Sequence, residues 1–214
     1  MKKFIPGPGK PDKIKTINRF TEFQLKEKNS VFLGHAYPIE SKEDAEQTLL
    51  NVRKQFHDAA HHCFAYKLLG SEFRYSDDGE PSGSAGIRIF NAIEHFNLVN
   101  VMVIIIRYFG GTKLGVGPLG KAYYKTAVST LQSAPVLAKL NYSKFSIIYK
   151  YEDSSRIHKI LSKYDALEIK SSFHQYPVIE ACIPLKKRDN FETELRDILK
   201  DTGDFTILME SVYL

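Results

Sequence analysis

The chain has 214 residues, of which 43% are hydrophobic and 26% charged, and it carries a formal net charge of +5. That is the composition of a globular protein long enough for two cores, and it excludes collagen-like and low-complexity classes. The longest apolar run, Leu98 to Ile106, is broken by Asn100 and falls well short of a membrane span. No apolar segment follows Met1-Lys2-Lys3 as a secretory signal requires, and two distant cysteines, Cys63 and Cys182, do not make a disulfide framework. A cytoplasmic protein is expected.

The charge is unevenly spread. Residues 138–214 hold 12 basic and 12 acidic side chains, so the whole excess lies in residues 1–137. Part of it is a basic arm over 1–15, rich in Pro and Gly, which reads as a flexible tail. The rest is concealed by the total: no Asp or Glu occurs between Glu94 and Glu152, a stretch that includes Arg107, Lys113, Lys121 and Lys125.

Along the chain, Phe20 to Lys26 and Val31 to Ile39 read as strands around a polar turn at Lys28-Asn29. Ser41 with Asp44 resembles a capping box, and Ala45, Leu49, Val52 and Phe56 follow at helical spacing. Ala60 to Leu68 returns as a strand. Residues 71–86 read as a polar, Gly-rich loop, followed by a helix carrying Ile87, Phe90 and Ile93. Val99 to Tyr108 is β-branched throughout its middle, the pattern of a strand covered on both faces. A glycine-rich loop then leads into a helix from Pro118 to Ser133. Ser133-Ala134-Pro135 marks a boundary, giving expected domains over 16–134 and 138–214. The second has the element order β-α-β-β-α-β of a ferredoxin-like fold.

Three clusters could carry chemistry. Gly115-x-Gly117-x-x-Gly120-Lys121 overlaps both the dinucleotide and the phosphate-loop patterns, but completes neither. It lacks the acid about twenty residues on that would hold a ribose, and Ala122 stands where Mg²⁺ needs a hydroxyl. What survives is a helix amino terminus flanked by Arg107, Lys113 and Lys121, an anion site in its electrostatics, or else a tight turn whose glycines permit close packing. The second cluster, Asp77, Asp78 and Glu80 with Ser82 and Ser84, would either hold a hard cation or cap the following helix. In the third, His61-His62-Cys63, alternation along a strand puts His61 and Cys63 on one face and His62 on the other. No nucleophile–base–orienter set is visible, so no catalytic residue, cofactor or metal is expected.

Joined, these stretches resemble a known family. Asp77-Asp78-Gly79-Glu80-Pro81-Ser82-Gly83-Ser84-Ala85-Gly86, then Arg107-Tyr108-Phe109-Gly110-Gly111-x-Lys113-Leu114-Gly115, then Ala122-Tyr123, are similar to the signature of the IMPACT/YigZ family. His62-Cys63-Phe64-Ala65-Tyr66 matches another of its elements. Val31, Ser84 and Pro118 depart from its usual Arg, Thr and Gly. The resemblance implies an α+β protein, with an N-terminal ribosomal-protein-like split βαβ domain and a C-terminal ferredoxin-like domain. It also implies a non-enzymatic regulatory role in translation or stress response, with a ribosome, RNA or protein partner. The residues expected to meet anions or nucleic acid are Arg107, Tyr108, Phe109, Gly110, Gly111, Lys113, Gly115, Gly117 and Lys121, beside a motif loop of His62, Asp77, Asp78, Glu80, Ser82 and Ser84. The competing reading is an enzyme acting on a phosphorylated small molecule or nucleotide at the two loops.

Overall fold

The computed structural model describes residues 10–70, 72–173, 175–200 and 202–214. Its contacts divide the chain into two units: Lys15–Ala138, and Lys139–Leu214 together with the stretch ending at Ile14. Among the described residues no helix is long and apolar enough to cross a membrane.

In the first unit β2 (Thr21–Glu27), β3 (Ser30–Pro38), β4 (His61–Lys67), β5 (Phe73–Ser76) and β6 (Val101–Tyr108) form one sheet in the order β2-β3-β6-β4-β5. Each neighbouring pair is antiparallel. The hairpin between β2 and β3 turns on Lys28 and Asn29, both at positive φ, as a two-residue turn between twisted strands requires. Helix α1 (Lys42–Gln55) covers one face and helices α2 (Gly86–His95) and α3 (Val116–Ser133) the other. The central strand β6 serves both layers: Val101, Val103 and Ile105 join the α2–α3 core, while Met102, Ile104 and Ile106 join the α1 core. Period-2 alternation on a doubly covered strand leaves no position for a polar residue until Arg107. At the start of α1, Ser41 Oγ accepts from Asp44 N, as in a capping box, while the Asp44 carboxylate accepts from Glu40 N, one residue before the cap.

The second unit has the strands β7 (Val136–Ile148), β8 (Leu167–Phe173), β9 (Pro177–Pro184) and β10 (Asp204–Tyr213), ordered β10-β7-β9-β8 and antiparallel throughout. Helices α4 (Ser154–Lys163) and α5 (Arg188–Leu199) bury Ile157, Ile160, Leu161, Phe191 and Leu195 against Phe145, Ile147, Ile179, Ala181 and Ile183. This is the ferredoxin-like arrangement its element order implied.

Two expectations change. The flexible arm over 1–15 is corrected in its last part: β1 spans Lys13–Ile17 with Ile14 and Ile17 buried, and Pro11 O accepts from the Tyr213 hydroxyl. Lysines at Lys13 and Lys15 hide the alternation of Ile14 and Thr16; residues 1–9 of that arm lie outside the described residues. β7 begins at Val136, just past the expected boundary at 133–135, and the division of contacts falls at Lys139. Finally, residues 73–76 of the supposed loop are the edge strand β5, whose Phe73 is exposed and stacks on Phe90 with ring centroids 4.7 Å apart.

Two consequences are measurable. A Cβ at Gly34 of β3 would lie 2.2 Å from Thr130 Oγ1 and 2.9 Å from Thr126 Cγ2 on α3. Gly34→Ala is therefore expected to lower unfolding free energy in urea by about 1–3 kcal/mol, the usual cost of overpacking, with Thr130→Ala recovering part of it. On the opposite face of β3, burial holds His35 below its ordinary pKa of 6.5, with Glu22 opposing. The unfolded chain then takes up this proton first, so stability is expected to fall as pH drops below 6.5. In His35→Gln that component of the pH profile disappears.

Candidate functional site

The register of three strands builds the site. Arg107, one residue from the end of β6, stands opposite Phe32 of β3 on one side and His61 of β4 on the other. Alternation directs it to the α2–α3 face, where a guanidinium at 5% exposure requires a partner. Glu80 supplies it: Arg107 Nη1 donates to Glu80 Oε1 over 2.6 Å, and the Tyr123 hydroxyl of α3 donates to the same oxygen over 2.7 Å. Arg107 Nη2 reaches Ser30 Oγ at 3.3 Å, and the guanidinium carbon lies 5.3 Å from the Phe32 ring and 5.5 Å from the Phe109 ring.

The acidic motif divides its work. Asp77 accepts backbone hydrogen bonds from Gly83, Ala85 and Gly86 at 2.8–2.9 Å, closing the loop onto the amino end of α2. A Cβ on Gly86 would meet the Ser76 backbone at 2.7 Å, so this closure requires glycine there. Asp78, at positive φ, accepts from His62 N at 2.7 Å and pairs with Arg53, and its carbonyl oxygen lies 2.8 Å from His61 Nδ1. Of the two expected uses, capping is the one realised by Asp77. The three carboxylates face different partners, and no group of three metal-ligating side chains converges among the described residues.

Beside this cluster opens a hollow of about 390 Å³ lined by His61, Glu80, Arg107, Phe109, Lys113 and the first turn of α3, with Pro81, Leu114 and Leu119. A second, of about 490 Å³, lies on the other side of the same helix end, between Arg88, Gly117, Lys121 and Tyr124. Gly115 takes φ 82° to start α3 at Val116, ahead of Pro118, so Gly117 and Gly120 are helical residues and not a phosphate-cradling loop.

The expected site residues scatter accordingly. Glu80, Arg107, Phe109, Lys113 and Gly115 come together in the first hollow; Gly117 and Lys121 belong to the second. Arg107 does not offer an unpaired charge at the surface, because its position on a doubly covered strand forces it onto Glu80. Tyr108 points to the other face of the sheet, where its hydroxyl donates to Asp58, and so does not share a stacking surface with Phe109. His62 likewise faces the α1 side, with Nε2 3.0 Å from Phe56 O. Gly110 N donates to Ser30 Oγ and Gly111 holds φ 80°, both roles in shaping the loop. Ser82 is exposed, and buried Ser84 Oγ has no partner among the described residues. His61, Tyr123 and Arg88 were not foreseen as site residues. For His61 the signal was there, since alternation pairs it with Cys63; for Tyr123 and Arg88 only packing of α2 on α3 decides. Burial pushes the Cys63 thiol and the Tyr123 hydroxyl far up from their ordinary values, which leaves both protonated.

A family model described as the Impact N-terminal domain matches residues 28–131, a span that contains every residue of both hollows. The chain is 38% identical over 132 residues to an IMPACT family member in the pol 5′ region of Thermus thermophilus, covering 62% of this chain and 72% of that one. This chain belongs to the IMPACT family. It is also 27% identical over 175 residues to the IMPACT family member YigZ of Escherichia coli, covering 79% of this chain and 85% of that protein. A crystal structure described only as that of a hypothetical protein superposes with a TM-score of 0.66 at 23% identity, over 94% of this chain and 99% of the other. The ion pair therefore sits inside the segment that matches the Impact N-terminal domain.

Removing one member of a buried pair strands the other charge. Glu80→Ala is expected to cost about 3–5 kcal/mol in a urea titration, and Glu80→Ala/Arg107→Met to regain much of that. A double variant no more stable than Glu80→Ala would contradict the pairing.

Proposed function

We propose that this protein is a non-enzymatic binding protein of the IMPACT family with a regulatory role linked to translation, and that its partner is RNA, free or in the ribosome. The observation that carries this reading is a set of cations around the amino end of α3. Arg88, Lys113 and Lys121 are exposed, and none has a carboxylate within 4.0 Å among the described residues. They line the two hollows, Lys113 and Lys121 from the stretch without acids, next to exposed Phe109 and Tyr124. Unpaired cations with aromatic rings between them suit a phosphate backbone and its bases. Chemistry is disfavoured by the same geometry: Cys63 and Tyr123 are held protonated by burial, and the carboxylates of the acidic loop are committed to structural partners.

The test is co-sedimentation with ribosomes and titration with single-stranded RNA over a range of salt. Binding is expected to weaken steeply as salt rises, and Lys113→Ala and Lys121→Ala are each expected to lower the log–log salt slope by about 0.7. Binding indifferent to salt, or unchanged in the Lys113→Glu/Lys121→Glu variant, would count against the reading.

A further inference from the structure

The two hollows are halves of one surface. Val116, the first residue of α3 and 60% exposed, lines both, so they meet across the amino end of the helix. Each is built in the same way. The first sets exposed Phe109 beside Lys113, and the second sets exposed Tyr124 beside Arg88 and Lys121. Their volumes, about 390 and 490 Å³, lie in the range of small-ligand sites. Among the described residues Glu80 is the one carboxylate lining either, and it is engaged by Arg107 and Tyr123. Arg88 is held in place from its own side: its Nε donates to Gly83 O over 3.2 Å, which leaves the outer nitrogens of the fork. A Cβ at Gly120 would lie 3.4 Å from that Nε, so α3 runs close beside the guanidinium. Between the hollows are the N–H groups of Val116 and Gly117, in the first turn of α3 where a helix supplies no acceptor.

Exposed rings set in hollows, with cations beside them that lack a carboxylate, match a chain whose flat apolar groups alternate with anions. A single nucleic-acid strand is such a chain. An A-form duplex is not: its bases are paired and stacked inside, and its wide, shallow groove offers hydroxyls and base edges instead of base faces. A base has to be unstacked to enter either hollow. Resting on the RNA reading above, we propose that this surface selects single-stranded RNA, placing one base in each hollow, against Phe109 and against Tyr124. The phosphate between them lies over Val116 and Gly117, and the flanking phosphates meet Lys113 on one side and Arg88 and Lys121 on the other. Ring faces and point charges carry no base code, so what is recognised is an unpaired strand and not a particular sequence.

Fluorescence anisotropy of the full chain with a labelled RNA of mixed sequence, single-stranded or annealed to its complement, tests this. The single strand is expected to bind about tenfold or more tightly than the duplex. Phe109→Ala and Tyr124→Ala should each weaken single-strand binding by about 5- to 150-fold, the loss of one base stack, and leave the salt slope unchanged. Tyr124→Phe, which keeps the ring, should bind as the unsubstituted chain does. The two alanine losses should combine in the double variant, since the rings stand in separate hollows. Circular dichroism and thermal melting report the fold. Phe109 also lies against Arg107, so Tyr124→Ala with its Tyr124→Phe control decides the matter where Phe109→Ala melts early. Duplex binding as tight as single-strand binding, or single-strand binding unchanged in either folded alanine variant, would overturn the proposal. Salt-dependent RNA binding that Lys113→Glu/Lys121→Glu abolishes but neither ring substitution affects defeats this inference alone. Absence of binding to any RNA defeats the RNA reading together with it.

Discussion

The first unit is organised around one buried ion pair. A guanidinium enclosed by Phe32, Phe109 and the sheet would be prohibitively costly without a counter-charge, and Glu80 is the carboxylate within reach. Everything nearby is arranged so that Glu80 stays there. Asp77 clamps its loop to the amino end of α2, Asp78 ties the same loop to β4 and Arg53, and Tyr123 brings α3 onto the carboxylate oxygen that Arg107 also uses. Strand, loop and two helices therefore share one electrostatic constraint. Such a network is more demanding of geometry than an apolar core of the same size, because each polar atom in low dielectric must be matched.

The same constraint decides what kind of site this is. Cys63 and Tyr123, the groups that chemistry would have to activate, lie in a region where desolvation favours their neutral forms. The carboxylates that might have held a metal are each committed to a different internal donor. What remains available lies at the edge of the network: Lys113, Phe109 and the first turn of α3. An interior whose carboxylates are paired internally, with a basic rim, supports the proposed binding role over chemistry.

Particular residues mark how far the sequence could be read. The β-branched run of β6 announced a strand covered on both faces, and the two cores of the first unit divide along its alternation. The element order after Pro135 foretold the ferredoxin-like sheet, because consecutive elements of short length leave few topologies open. Edge strand β5 was hidden, since its residues are exposed and its stabilisation comes from Phe73 against Phe90 on a helix far along the chain. Lys13 and Lys15 disguised β1 in the same way.

The candidate site was legible as a list and not as an arrangement. Spacing identified Asp77, Glu80, Arg107 and Lys113 as unusual residues, but a cation in a sequence carries no mark of whether it meets solvent or a buried carboxylate. Glu80 and Arg107 are 27 residues apart, and only the register of β3, β6 and β4 brings them within 2.6 Å. Alternation also separated neighbours that looked like one surface, sending Tyr108 to the α1 side and Phe109 to the hollow. The sequence by itself determined all the elements but β1 and β5, the two cores and the family, because those follow from local periodicity and contiguous motifs. Only the tertiary structure decided which charges are paired inside the fold and which stay at the surface, because pairing between distant residues is set by sheet register and helix packing.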